Sequence, residues 1–291
     1  MLDSSSSAGS ISATLQIENN DGLEAGQTMQ ALMQIQHEFE ANPTLRAHVD
    51  LHVMVQPHGT KRSRLQVGRN VARLFSRSPY VMHTPIRVLW LAPLTMDDTK
   101  RDLLDQGQVL VVPTFAFPPH RYSTEQPSFP TTREQVIEWV DADRIGLMDY
   151  HWELNGGPTN YDQWEVASEP YMVVDYDYHY GPIYITTKED HPWCEERFED
   201  QLPACVYATY LNGADFWVLP DTFVIRSGQE PENHLPYAER VIQDGMYKNY
   251  RIEQCAFYAR QFDQLQVYNT ERGTHVKQEC AKALKNEKII Q

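Results

Sequence analysis

The sequence predicts a single α/β domain, and three observations carry that expectation. Strand-like and helix-like segments alternate through the first half, the composition is that of an ordinary globular chain, and no run of about 18 apolar residues exists. Of the 291 residues, 41% are hydrophobic, 22% charged and 11% aromatic, too apolar for a disordered protein. Ser10–Ile17 alternates as a strand and runs into the turn cluster Asn19–Gly22. Residues 24–40 carry good helix formers, with Leu32, Ile35 and Phe39 at helical spacing, and stop near Asn42-Pro43. Val49–Val55 reads as a strand. Arg69–Ser76 reads as a helix with Val71, Leu74 and Phe75 on one face, and Pro79–Met82 opens another strand. Val109–Val112 is a short buried strand bounded by Gln108 and Pro113. Strand and helix alternating at this pitch predict a mainly parallel sheet covered by helices.

The second half is richer in aromatic residues. After a helix over 131–141 come Trp152, Tyr161, Trp164, Tyr171, Tyr176, Tyr178, Tyr180 and Tyr184. Tyr171–Thr186 alternates like a long strand or hairpin, Phe216–Ile225 reads as a strand, and 237–268 as mostly helix. The Pro-rich stretch 117–130 and the stretch 153–160, with Gly156-Gly157-Pro158, read as working loops. There are no internal repeats. Residues 1–9 are therefore expected to be a disordered tail and 10–291 one domain.

Charge narrows the partners. Lys plus Arg number 25 against 40 Asp plus Glu, a net charge of −15 with a pI near 5.1. Nucleic acid is excluded as a partner, since phosphate neutralisation needs a basic patch. A basic protein partner fits better. Met1–Ser10 has neither a basic nor an apolar region of a secretory signal, and no segment is suited to membrane insertion. The four cysteines (Cys194, Cys205, Cys255, Cys280) lack CxxC spacing, which suggests neither zinc nor a disulfide framework. No glycosylation sequon occurs, because Pro43 disqualifies Asn42-Pro43-Thr44. These features lean toward a reducing compartment.

The densest polar constellation is Asp175-Tyr-Asp-Tyr-His179. On a strand, Asp175, Asp177 and His179 would share one face, an adequate set for a hard metal or for acid–base work. The plain alternative is a solvent-facing strand edge with tyrosines packed behind it. Cys194 with His191 could form a nucleophile pair, against the plainer reading of a buried thiol. His151, between Tyr150 and Trp152, is either a base or a buried hydrogen-bonded ring. Dinucleotide, P-loop, nucleophile-elbow and zinc-protease motifs are all missing from the sequence.

A series of segments in order is more specific. Arg69-Asn70-Val71-Ala72 is followed by Ser78-Pro79-Tyr80-Val81, then Val111-Val-Pro-Thr-Phe115, Phe129-Pro130 and Tyr150-His151-Trp152. The run Pro158-Thr-Asn-Tyr-Asp-Gln-Trp164 comes next, with Ala167, Pro170-Tyr171 and Val173, and then Glu196-Arg197-Phe198 and Val218-Leu219-Pro220. On these residues the chain resembles the family 49 glycosyltransferases, of the LARGE glucuronyltransferase type, over most of 10–260. The resemblance implies a GT-A type fold, a Rossmann-like mixed sheet flanked by helices. It also implies a UDP-sugar donor and a glycan acceptor, and active relatives are Golgi lumenal.

The departures matter as much. The family's Asp-x-Asp, which would hold a divalent metal against the diphosphate, falls on Pro85-Ile86-Arg87, and its metal-binding His falls on Arg226. The acidic residue of a Phe-Glu-Pro element falls on Gly181, and a Gly-Phe-Gly segment is replaced by Glu199–Pro203. The family's first strand has no counterpart. No divalent metal or other cofactor is therefore expected.

Two readings follow from the resemblance. In an active, metal-independent enzyme, Arg87 and Arg226 stand in for the cation, Arg69 and Asn70 join them at the donor, and Asp175 or Asp177 is the base. In an inactive pseudo-glycosyltransferase the fold survives as a binding or scaffold protein. The two arginines also have a plain reading, as ion pairs of Arg87 with Asp97 or Asp98 and of Arg226 with Asp221.

Overall fold

The computed structural model describes the chain except for residues 1–9, 19–24, 57–64, 85–87, 118–128, 149–154, 199–200, 227–236 and 288–291. The expected tail, His151 and Arg87 thus lie outside the described residues. Two compact units emerge: Met1–Val81 with Trp193–Gln201, and Met82–Pro192 with Leu202–Gln291.

The first unit is a parallel pair of strands with helices. β1 (Ile11–Glu18) leads through α1 (Ala25–Ala41) and α2 (Pro43–His48) to β2 (Val49–Gln56), followed by α3 (Leu65–Phe75). The register pairs Ile11 with Val49 through to Glu18 with Gln56. Asn42 starts α2 by capping, its Oδ1 accepting from the Thr44 and Leu45 amides, with Pro43 in the first turn.

The face that α3 buries reverses the expectation. Gln66, Gly68, Asn70 and Arg73 are its buried residues, whereas Leu74 and Phe75 are 52% and 56% exposed. The reason is polar matching to β1. Thr14 Oγ1 donates to the Gly68 carbonyl (2.9 Å) and Ser12 Oγ to that of Ala72 (2.6 Å), close approaches that Gly68 permits. Asn70 then brackets the returning segment: it accepts from the Cys194 N–H at 3.0 Å and donates to the Cys194 carbonyl at 2.8 Å. Its Nδ2 also donates to Glu196 Oε1 at 2.9 Å.

β3 (Tyr80–His83) begins at the boundary, and Met82 and His83 belong to the second unit. There follow β4 (Val88–Leu91), α4 (Asp98–Asp105), β5 (Val109–Val112), β6 (Thr114–Ala116), α5 (Arg133–Asp141) and β7 (Gly146–Leu147). Next are α6 (Tyr161–Val166), β8 (Tyr171–Met172), β9 (Ile183–Thr187), α7 (Leu202–Leu211), β10 (Phe216–Val218) and β11 (Val224–Arg226). Two helices close the chain, α8 (Tyr237–Gln264) and, after a 3-10 turn over Glu271–Gly273, α9 (Thr274–Glu287).

The strands form a five-stranded sheet, β3-β9-β5-β10-β8, and a four-stranded one, β4-β11-β6-β7. Pro113 divides β5 from β6: without an N–H it cannot continue the ladder, and the chain passes from one sheet to the other there. Both sheets are mixed. β10 runs parallel to β5 and β11 parallel to β6, while β8, β9, β4 and β7 pair antiparallel, so the expected mainly parallel sheet is corrected. The apolar run of β5 is wholly buried, as a central strand covered on both faces must be. α7 is also buried along almost its whole length, the signature of a core helix rather than an amphipathic one.

The long strand or hairpin expected over 171–186 and the strand expected over 216–225 both break up. Residues 171–186 form β8 and β9 with a turn between them, and 216–225 splits into β10 and β11. The first break is local chemistry: the Asp177 side chain accepts from the His179 N–H at 2.8 Å and its carbonyl from the Tyr180 N–H at 3.0 Å, an Asx-type turn.

Cysteine use is also corrected. Cys255 and Cys280 are disulfide-bonded, Cys194 and Cys205 are likewise oxidised, and no free cysteine exists. Cys194 is therefore neither a nucleophile nor a buried thiol. Cys255 and Cys280 stand 25 residues apart, outside any motif spacing, so spacing in sequence did not disclose their bond.

Candidate functional site

A groove of about 120 Å³ opens beside β8, between that strand and the stretch 155–163. The loop is unusual in its backbone. Asn155 (φ 65), Gly157 (φ 94) and Asn160 (φ 59) all adopt left-handed conformations and all line the groove. Asparagine tolerates this region better than most residues, and such strain collects at functional sites.

Three anchors hold the loop. Asn155 exchanges hydrogen bonds with Leu147 of β7: its N–H donates to the Leu147 carbonyl at 2.7 Å, and its Oδ1 accepts from the Leu147 N–H at 2.8 Å. Tyr171 Oη donates to the Thr159 carbonyl at 2.6 Å, and the Thr159 and Tyr180 hydroxyls, both buried, lie 2.8 Å apart. Asn160 caps α6 by accepting from the Gln163 N–H. Both Asn oxygens are thus used internally, which leaves two carboxamide NH₂ groups as donors on a preset frame. Asp162, Gln163 and Asp175 add acceptors, and Met172 and Val174 add apolar surface. Hydroxyl-rich ligands are matched by such a mixture of planar polar groups and small apolar walls.

Asp175 and Asp177 do not share a face. Asp175 lines the groove. Asp177 is engaged with His179, whose Nδ1 lies 3.0 Å from its Oδ1. Burial pushes the Asp177 carboxyl up, but the hydrogen bonds from the His179 ring and main chain, with the charges of His179 and Arg251, outweigh it and hold the group below the usual carboxylate value. Arg251 stacks on the Tyr178 ring at 3.4 Å, and Tyr247 Oη donates to the Tyr178 carbonyl, so α8 supports this turn. Among the described residues no group of three metal-ligating side chains is assembled.

Arg226 ends β11, half-buried, at a register irregularity of the kind that re-aims a side chain. It pairs with Ala116 at the carboxyl end of the parallel strand β6, and with Val88, which directly follows Arg87 in the sequence. Carboxyl ends of parallel strands are where open α/β sheets bind ligands. Asp97 and Asp221, assigned to the two arginines in the plain reading, are held by Lys100 at 2.9 and 2.7 Å, and Asp98 by Arg101. Arg69 and Asn70 lie in the first unit. Arg69 Nη1 donates to Gln66 Oε1 at 3.0 Å, and the Asn70 amide is taken up by Cys194 and Glu196. Sequence reasoning gave no role to Asn155, Asn160 or Met172, although Asn160 lies within the family-resembling run 158–164 and the Gly-Gly-Pro turn signal follows Asn155.

Comparison with known proteins bears on the same residues. Residues 64–254 match the family described as glycosyl-transferase for dystroglycan, which covers the groove, the Asp175–His179 turn and Arg226. The chain is 28% identical over 216 residues to the human xylosyl- and glucuronyltransferase LARGE2, covering 70% of this chain and 28% of that protein. It is 28% identical over 178 residues to zebrafish (Danio rerio) LARGE2s, covering 58% and 22%. The glycosyltransferase-like protein LARGE of Caenorhabditis elegans is 26% identical over 172 residues, covering 57% and 27%. The chain thus spans about a quarter of the length of these relatives.

Proposed function

Since the chain belongs to glycosyltransferase family 49, the glycosyl-transferases for dystroglycan, we propose that it transfers a sugar from a UDP-sugar, glucuronate in type, to a glycan held in the groove beside β8, on a GT-A type frame and without a divalent metal. The observation that carries this reading is the placement of Arg226 at the carboxyl ends of β6 and β11, opposite the residue that follows Arg87. A guanidinium in a ligand position does not fit a metal ion, since it carries no lone pair to donate and is itself a cation. It does fit a diphosphate, which it can bind bidentately.

In the transfer, Asp175 takes the proton of an acceptor hydroxyl, and that oxygen forms a bond to C1 of the sugar. The bond from C1 to the diphosphate oxygen breaks, and UDP leaves with the electron pair, its charge met by the arginines. Asp175 suits the base better than Asp177, whose carboxylate is occupied by His179. The disulfides favour an oxidising, lumenal compartment, and no described helix is long and apolar enough to cross a membrane.

A second reading, a glycan-binding or scaffold protein without catalysis, is favoured by Pro85, Gly181 and Arg226 standing where the family has acidic or metal-binding residues. Calorimetry with UDP and UDP-glucuronate, in Mn²⁺ and in EDTA, separates the two. Transfer predicts binding that persists in EDTA and falls at least tenfold in Arg226→Ala; no binding in either condition would leave only the second reading. Given an active acceptor, Asp175→Asn should lower kcat at least a hundredfold with KM little changed, and Asp177→Asn far less.

A further inference from the structure

Among the described residues, no strand pairs with the outer edge of β8. In the order of the five-stranded sheet β8 is terminal, and among the described residues it pairs with β10 alone. Met172 stands opposite Trp217 and Tyr171 opposite Val218, and the Val173 N–H donates to the Phe216 carbonyl at 2.8 Å. Hydrogen-bonded and non-hydrogen-bonded pairs alternate in an antiparallel ladder, so the Met172 N–H and C=O point away from β10. Side chains alternate with them: Tyr171 and Val173 are buried, while Met172 and Val174 are 40% and 72% exposed. An unpaired edge flanked by exposed apolar side chains is a template for another strand.

Charge selects what can pair there. Among the described residues, the groove along this edge is lined by Asp162 and Asp175 and by no lysine, arginine or histidine, on a chain of net charge −15. Pro170, just before β8, and Asp175, just beyond it, keep the edge short. The loop of Asn155–Asn160 that forms the opposite wall is already anchored, so docking requires no reordering of it.

We propose that the β8 edge docks a short extended polypeptide segment rich in lysine or arginine, which adds as a further strand and presents the acceptor glycan on the same chain. The role of that segment as glycan carrier rests on the transfer reading above; the docking itself does not. Main-chain hydrogen bonds from Met172 supply the pairing, Met172 and Val174 take alternate side chains, and Asp162 takes a cation.

The test uses the whole chain and a fluorescein-labelled decapeptide alternating lysine with threonine and valine, followed by fluorescence anisotropy. Two control peptides carry glutamate in place of lysine, or N-methyl groups on alternate residues that block strand pairing. The lysine peptide should bind at least tenfold more tightly than either control. Binding should weaken about tenfold in Met172→Pro, which removes the edge donor, and severalfold in Asp162→Lys, an exposed change that keeps the proposal testable if Met172→Pro fails to fold. Equal binding of the N-methylated peptide, or no binding of the lysine peptide, overturns the proposal. So does a concentration-dependent dimer abolished by Met172→Pro, which would assign the edge to a second copy of the chain. Titration of a neutral methyl glycoside into the wild-type chain tests the transfer reading separately: no saccharide binding with peptide binding present removes the carrier role and leaves the docking.

Discussion

Lys100 shows how much of the molecule rests on single residues that sequence reasoning passes over. Its side chain is 3% exposed, and its Nζ donates to the Thr95 carbonyl, Asp97 and Asp221 at 3.0, 2.9 and 2.7 Å, so all three ammonium donors are used. Burial pushes its pKa down, but the hydrogen bonds to Asp221 and Asp97 outweigh that and raise it above the usual lysine value; hydrogen bonds from Lys100 in turn hold Asp97 below the usual carboxylate value. The signs fix a window. The lysine's contribution is full below the unfolded lysine value and is lost as pH rises through its raised folded value. That of Asp97 is full above the unfolded carboxylate value and is lost as pH falls through its depressed folded one. Both are present at neutral pH. Lys100→Met keeps the buried stem and leaves two half-exposed carboxylates, so the expected loss is about 1–2 kcal/mol at pH 7, shrinking toward pH 3 as the unfolded chain takes up protons on its carboxylates. Urea unfolding of both proteins at the two pH values checks this, and equal stability at pH 7 would contradict it. No local pattern announces the bond, because Asp221 is 121 residues away in sequence from Lys100.

At the scale of elements, what was legible depended on whether burial is apolar. β5 is a run of four apolar residues between Gln108 and Pro113, and it is a fully buried strand. α3 has an equally clear apolar stripe, yet buries the opposite side, because Ser12 and Thr14 of β1 offer hydrogen bonds to its main chain and Asn70 bridges to residues 194 and 196. Hydrophobic periodicity assumes a greasy interface and cannot foresee one built from hydrogen bonds. The candidate site divided in the same way: Asp175 stood out as a chemical group, while Asn155 and Asn160 matter through backbone conformations that no single-residue pattern reveals. Asn70 gives the element-level prediction. Replacing it by alanine leaves the Cys194 N–H and C=O without their bonds, at an expected cost of about 2–3 kcal/mol. Hydrogen exchange at the Cys194 amide should accelerate at least tenfold. Unchanged exchange would mean that the bracket does not hold segment 193–201, and would return Asn70 to the donor-binding role that the family resemblance implies.

At the scale of the whole molecule, the cysteines decide the conditions under which this chain can fold. All four are oxidised. The Cys255–Cys280 bond joins α8 to α9 across a sequence separation of 25 residues, with Cα atoms 5.5 Å apart, and Tyr207 Oη packs 3.4 Å from Cys255 Sγ. It therefore clamps α9, which lies beyond the family-matched residues, against the family-matched body of the fold through the buried helix α7. Closing a loop of that length contributes roughly 3–4 kcal/mol by chain entropy. That is a large share of a typical domain's net stability of about 5–15 kcal/mol, so a reducing environment should leave the second unit poorly folded. Two measurements follow. Thiol titration of the unfolded chain, purified without reductant from an oxidising host, should find almost no free thiol before reduction and four afterwards. The double variant Cys255→Ala with Cys280→Ala should lose about 3 kcal/mol in oxidising buffer, and the parent in dithiothreitol, with Cys194 and Cys205 also reduced, at least as much. Four titratable thiols before reduction, or a double variant as stable as the parent, would remove the argument for an oxidising compartment and leave the reducing one favoured by cysteine spacing.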